Sequence, residues 1–317
     1  MFRYFDAHTH AQFAAFDSDR DDVISRALSA GVGMINVGTQ EDTSRAAVAL
    51  AHRRENVYAT VGLHPIHTSR SYHDSQELGG GEAAVGFTSR GEEFDYDYYK
   101  NLAADPKVVA IGECGLDYAA FVREERERGE KRASADLSAK ASASAEALSE
   151  GGLPQEDMEV RKKKQKQVFL RQIELAHEVG KPLMIHCRSA FGDLIGVLNF
   201  KLKILNSPPG VIHFFSGTPI DAKILLDMGF YFTFGGVITF ARDYDKVIEM
   251  IPSERILSET DAPYVAPAPY RGKRNEPLYV IEVVKKLAEL KNLSVEAMAA
   301  QILKNAEAIF NLKLTTS

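Results

Sequence analysis

The segment FRYFDAHTH (residues 2–10) joins a short apolar run to two histidines spaced two residues apart. In an extended chain, residues two apart point to the same side, so His8 and His10 can aim two imidazoles at one ion. Neutral imidazole is the commonest metal-ligating side chain. Taken alone, the pair also fits two polar residues at a strand end. The arrangement recurs, however, and the recurrence decides the fold. Glu113 follows VVAIG, His186 follows PLMI, His213 follows GVI and Asp261 follows ILSET.

Eight apolar runs of this kind occur, at 2–6, 33–38, 57–63, 108–113, 182–186, 211–215, 230–235 and 255–260. Their nearly continuous apolar character suits strands buried on both faces of a parallel sheet. Helical patterns lie between them. Residues 19–30 open with acids and close before Gly31; 160–179 stop at Gly180 with Pro182 beyond; 219–228 begin with Pro219 and end at Gly229. Acidic or proline starts and glycine stops are the expected helix asymmetry. An eight-fold βα repeat predicts an α/β protein built as a single TIM-like (β/α) barrel over residues 1–317, with 276–311 forming two or three closing helices. Active sites of such barrels lie at the C-terminal ends of the strands, so all six ionisable side chains can converge there. A buried carboxylate or imidazole without a partner costs stability. One such residue is easily a satisfied core group, but six at equivalent positions call for a shared ion.

Two segments interrupt the rhythm, one after the third strand and one after the fourth. Residues 69–95 form a polar, glycine-rich inserted loop; its Tyr72, Phe87 and Phe94, and Tyr96 just beyond it, have two readings, packing on the barrel rim or stacking on exposed bases. Residues 119–157 are a low-complexity insertion; between Arg123 and Asp157 the only large aliphatic residues are Leu137, Leu148 and Leu153. Such a composition buries little surface and predicts a solvated helix or disorder. Both insertions leave from the catalytic face, where loops change substrate access without altering the core.

Composition narrows the chemistry. The 317 residues carry 45% hydrophobic content and a net charge of −6. A protein that grips duplex DNA mainly by counterion release shows a basic excess, so a nucleic-acid partner here must meet a local basic feature or bound cations. Two cysteines, Cys114 and Cys187, with no CxxC pair, exclude a structural thiolate zinc site and leave no disulfide framework. Neither a signal-peptide core nor a membrane-length apolar run is found, and the expectation is a cytoplasmic protein without membrane contact, acting as a monomer. No glycine-rich phosphate loop is present. Four histidines and two carboxylates exceed one tetrahedral shell. They point to two divalent ions, of magnesium, manganese or zinc, bridged by a carboxylate.

The motifs DAHTH (6–10), GLHP (62–65), AIGECGLDY (110–118), IHCR (185–188), HFFSG (213–217), ETDAPY (259–264) and RGKRNEP (271–277) span the chain. In that order they resemble the TatD-type metal-dependent deoxyribonuclease family, a branch of the amidohydrolase-like barrels. The resemblance implies that His8 and His10 serve one metal, that His186 and His213 serve a second, and that Glu113 is shared by both. It further implies that Asp261 ligates a metal and orients or deprotonates the attacking water, and that His64 lies near the substrate phosphate. The alternative for His64 is a helix-capping or core histidine. Arg188 and Arg274 are candidate phosphate contacts, because guanidinium forks match phosphate oxygens; a structural ion pair is the equal alternative. Two departures stand out. Ile66 comes between the HP of the second motif and His67, and Phe214 takes the place of the cysteine common after the sixth-strand histidine.

The expected activity is divalent-metal-dependent cleavage of phosphodiester bonds in DNA, as an exonuclease on single-stranded ends, with RNA as a further substrate candidate. A second reading keeps the site and changes the bond to an ester or amide, such as an aminoacyl-nucleotide linkage. A third, a non-catalytic scaffold, would show loss of a ligand, and none is lost.

Overall fold

The computed structural model describes residues 2–70, 72–73, 87–123, 126, 155–205 and 209–314. Eight parallel strands form its centre: β1 (Tyr4–Thr9), β2 (Val32–Val37), β3 (Val57–Val61), β4 (Val108–Asp117), β5 (Leu183–Arg188), β6 (Val211–Ile212), β7 (Tyr231–Phe234) and β8 (Ile256–Ser258). They neighbour one another in chain order, as expected when each strand is followed by a helical crossover. Every residue of β2, β4 and β7 is buried, which is why these runs read as continuously apolar rather than alternating.

The crossovers and the C-terminal cover are α1 (Arg20–Ser29), α2 (Glu41–His52), α3 (Tyr96–Ala103), α4 (Gln155–Val179), α5 (Phe191–Leu205), α6 (Pro219–Asp227), α7 (Asp245–Met250), α8 (Val280–Lys291) and α9 (Val295–Phe310). Local signals set their ends. Thr218 and Asp221 form a capping box ahead of α6, and Asn292 stops α8 in the left-handed conformation. Among the described residues no helix is long and apolar enough to cross a membrane.

The sheet is almost closed. Among the described residues β1 and β8 share no strand ladder, although they lie side by side. Other bonds stitch this seam. Ser258 Oγ donates to Phe5 O at 2.7 Å, and the backbone N–H and hydroxyl of Thr260 donate to the fully buried Asp6 carboxyl at 2.9 and 2.5 Å. Just past the strand ends, Asp261 N donates to His8 O at 2.9 Å and His10 N donates to Ala262 O at 2.8 Å. Six of the residues that close the barrel (Asp6, His8, His10, Thr260, Asp261 and Ala262) therefore lie within the two motifs DAHTH and ETDAPY.

On the far side, α4 clasps two strand ends with side-chain amides that imitate a neighbouring strand. Gln172 donates to Leu63 O and accepts from Leu63 N, both at 2.9 Å. Seven residues earlier, Gln165 donates to Asp117 O at 3.0 Å and accepts from Asp117 N at 2.9 Å. Each amide satisfies buried backbone groups that would otherwise be orphaned.

The fourth strand runs four residues beyond the predicted 108–113 and ends at Asp117. Gly115 reads as a breaker in the sequence, yet it keeps the strand in register beside β5. A Cβ there would stand 2.0 Å from His186 O, and its φ of +134° disfavours other residues. Most of the two insertions (71, 74–86, 124–125 and 127–154) lies outside the described residues. Their described ends belong to the barrel. Phe94 stacks on Tyr99 at 4.8 Å, Phe121 is buried, and Met158 on α4 is buried as well.

Candidate metal centre

The side chains at the C-terminal strand ends converge on one carboxylate. Glu113 is 3% exposed and its two oxygens face different groups. Oε2 lies 3.5 Å from His8 Nε2 and 3.8 Å from His10 Nε2. Asp261 Oδ1 completes this first group, 3.7 Å from His8 Nε2 and 3.4 Å from His10 Nε2. Oε1 of Glu113 lies 3.0 Å from His186 Nδ1, 3.1 Å from His64 Nε2 and 3.3 Å from His213 Nε2.

These spacings fit ions. Two donors each about 2.0–2.2 Å from one ion stand roughly 3.3–3.6 Å apart at a tetrahedral angle. The first group brackets that range, with His8 Nε2 and His10 Nε2 3.2 Å apart. The far nitrogen of His8, Nδ1, is buried with no hydrogen-bond partner beside His213, on which its ring stacks at 3.6 Å. The residues present therefore suit divalent cations, with imidazole and carboxylate donors acceptable to zinc or manganese and carboxylates acceptable to magnesium.

Hydrogen bonds at the far nitrogens fix which ring atom faces inward. His10 Nδ1 bonds Val37 O at 2.8 Å, His186 Nε2 bonds Asp117 Oδ2 at 2.9 Å, and His213 Nδ1 bonds Glu259 Oε2 at 3.1 Å. Each partner is an acceptor, so each far nitrogen carries the proton and the inward nitrogen offers a lone pair. His213, Glu259 and His8 also lie close enough to hold an ion. The bond between His213 and Glu259 makes Glu259 the group that orients His213. His64 differs. Its Nδ1 accepts from Ile66 N at 3.2 Å, so a neutral ring carries its proton on Nε2 and donates it to Glu113. His64 is thus the N-cap of a short 3₁₀ turn and a donor into the centre at once.

Charge follows this arrangement. Burial disfavours an ionised Glu113, but the imidazoles of His64, His213 and His8 outweigh it and hold the carboxyl well below the usual range. Burial likewise opposes charge on His186, yet Asp117 and Glu113 push it up to about 9. Asp117 falls to about 2 because bonding to His186 overcomes its burial. His8 moves the other way: burial, then the neighbouring His213, lowers it.

The cavity above the centre has a volume of about 350 Å³. His10, His64, Glu113, His186, Arg188, His213 and Asp261 line it, together with His67 and the aromatic side chains of Phe13, Phe214, Tyr244 and Tyr264. His8 sits beneath, fully buried. Arg274 is placed elsewhere. Its guanidinium holds Asp19 through two bonds of 2.9 and 2.6 Å, donates to Ala15 O and covers the Phe16 ring. That is the structural ion pair, not a phosphate contact at the cavity wall. Sequence reasoning missed Asp117, Glu259 and Asp6. Asp117 shares the parity of Glu113 on one strand and Glu259 that of Asp261, which is the signal that could have found them.

The comparisons agree with this geometry. The family described as TatD related DNase matches residues 5–311. A metal-dependent hydrolase of Bacillus subtilis, YabD, is 33% identical, with 97% of this chain and 99% of the relative covered. A protein of Erwinia billingiae named 3'-5' ssDNA/RNA exonuclease TatD is 31% identical, with 97% and 99% covered. Among solved structures, the TatD homologue YJJV of Escherichia coli superposes with a TM-score of 0.70 at 25% identity, covering 98% of this chain and 99% of that one. Motifs, barrel and relatives converge, and the chain belongs to the TatD-related DNases, a family of metal-dependent hydrolases.

Proposed function

We propose that the chain hydrolyses phosphodiester bonds of DNA, working from single-stranded ends, with two divalent ions. The observation that carries this is Glu113, whose two oxygens face two separate clusters of nitrogen donors with Asp261 beside one of them. When bound there, divalent ions supply a positive field for the phosphoryl oxygens and make water a nucleophile at neutral pH. His8, His10 and Asp261 hold one ion, His186 and His213 the other, and Glu113 both. Asp261 accepts the proton of the attacking water, for which it must first be ionised: burial opposes its charge, but His10, His213 and His8 keep it in the carboxylate form. His64, at the cavity wall, lies near the substrate phosphate, and Arg188 on the same wall supplies a contact of opposite charge. Asp117 and Glu259 keep the two rings of the second group in place.

The relatives named ssDNA/RNA exonucleases support a nucleic-acid substrate. So does the shape of the site, a cavity that takes an end of a strand more readily than the flank of a duplex, on a chain of net charge −6. The whole of 1–317 acts as one barrel domain. Residues 69–95 shape the mouth, and the interior of 119–157 is dispensable. Replacing 127–153 with a short linker then leaves metal content and activity on a small diester intact, and an insoluble or metal-free product refutes this.

The test is to strip the protein of metal and supply magnesium, manganese or zinc singly, with end-labelled single- and double-stranded DNA and RNA. The expected result is stepwise release of mononucleotides from single strands with at least one metal. Turnover of an ester or amide, with no cleavage of any nucleic acid, overturns the reading.

A further inference from the structure

Phe214 is one of the two departures from the family motifs, and its setting is unusual. It directly follows His213 and has a φ of +46°, a region that bulky side chains rarely enter. Two features hold it there. Its backbone N–H donates to the buried Thr233 hydroxyl at 3.0 Å. Its ring lies over Gly235, where a Cβ would stand 3.1 Å from the ring edge, so only glycine leaves room without displacing it. The strained backbone does not serve to bury the ring. Phe214 is only partly buried, is absent from the side chains packed against the apolar core, and lines the cavity beside the metal centre. Phe13, stacked on His10 at 4.5 Å, faces the same space. A costly conformation that presents an aromatic face to the cavity beside the metal centre points to a ligand with a flat face of its own.

We infer that Phe214 is the floor of a base-stacking subsite, which takes the nucleobase attached to the phosphate held at Glu113 and Asp261. This rests on the phosphodiesterase reading for the position of the phosphate. Stacking is tolerant of sequence because every base has a π-face, as end-wise degradation of mixed strands requires.

The test measures binding as well as turnover. The probes are thymidine 5'-monophosphate and deoxyribose 5-phosphate, titrated into metal-loaded wild type, Phe214→Leu and Phe214→Tyr. Base stacking worth about 1–3 kcal/mol predicts that the wild type prefers the nucleotide by about 5- to 150-fold. Phe214→Leu, of similar volume but without a π-face, should lose that preference, while Phe214→Tyr keeps it and both hold deoxyribose 5-phosphate as the wild type does. Turnover of thymidine 5'-(p-nitrophenyl phosphate) against methyl p-nitrophenyl phosphate should show the same ratio in KM. Equal preference in wild type and Phe214→Leu overturns the subsite. If neither diester is cleaved by the wild type while the binding preference holds, the phosphodiesterase reading fails and the subsite stands.

Discussion

The two groups of donors around Glu113 are similar in chemistry and different in how the barrel holds them. His186 and His213 follow strands knitted into a continuous ladder from β4 to β7, and each ring is braced by a buried carboxylate. His8, His10 and Asp261 sit across the seam, where strand pairing gives way to side-chain bonds and two backbone bonds past the strand ends. Only His10 in that group has a bonded far nitrogen, to the carbonyl of Val37. The ladder thus fixes one group through the sheet, whereas the seam fixes the other through Asp6 and Thr260. A site can be equally well placed by either means, but the two should fail differently.

The largest effect should come from the one residue common to both. Glu113→Ala should deplete both ions, with a loss in affinity beyond the roughly 10–100-fold typical of residues outside the ligand set. Metal analysis of the purified variant checks this, and full occupancy would remove the bridging role. Asp261→Asn keeps size and one oxygen donor but removes basicity. Its turnover should fall by about 10²–10⁴-fold with the ion of the laddered group retained. Wild-type turnover would make Asp261 structural.

Smaller effects separate the two groups. Asp117→Asn and Glu259→Gln should each weaken one ion by about 10–100-fold and leave the seam ion in place. Conversely, Thr260→Val should leave the buried Asp6 Oδ2 without its hydroxyl partner, cost about 1–3 kcal/mol of stability and loosen the seam ion first. Thermal melts with and without added metal distinguish them. The sharpest probe is protonic. Without an ion His186 titrates at about 9, above its ordinary value, so at neutral pH it is charged and must lose its proton to ligate. Ion uptake at neutral pH should therefore release protons, and the share contributed by His186 should vanish as pH rises past about 9. A weakly buffered titration that shows no release would remove the charged imidazole from the ion-free state.

Much of this was readable in advance because the barrel puts chemistry where each apolar run ends. His8, His10, Glu113, His186, His213 and Asp261 were all found by that rule, and the structure brings them together. What the rule could not supply was support. Asp117 lay past the predicted end of its strand, since Gly115 looks like a breaker until β5 is seen pressing on it. Glu259 and Asp6 read as strand-end polarity, and their partners His213 and Thr260 are distant in sequence. Arg274 illustrates the opposite limit. A guanidinium in a phosphate enzyme invites a substrate role, and only the position of Asp19 shows that it is already engaged.

The seam also sets a timetable. The bonds between Asp6 and Thr260 span 254 residues, whereas the laddered donors are all present once His213 has been made. A chain synthesised at about 5–20 residues per second spends some seconds with His186 and His213 made and Asp261 still to come. His8 and His10 are made long before Asp261, their partner across the seam. Until Thr260 and Asp261 have been made, the seam cannot close and the first group of donors is incomplete.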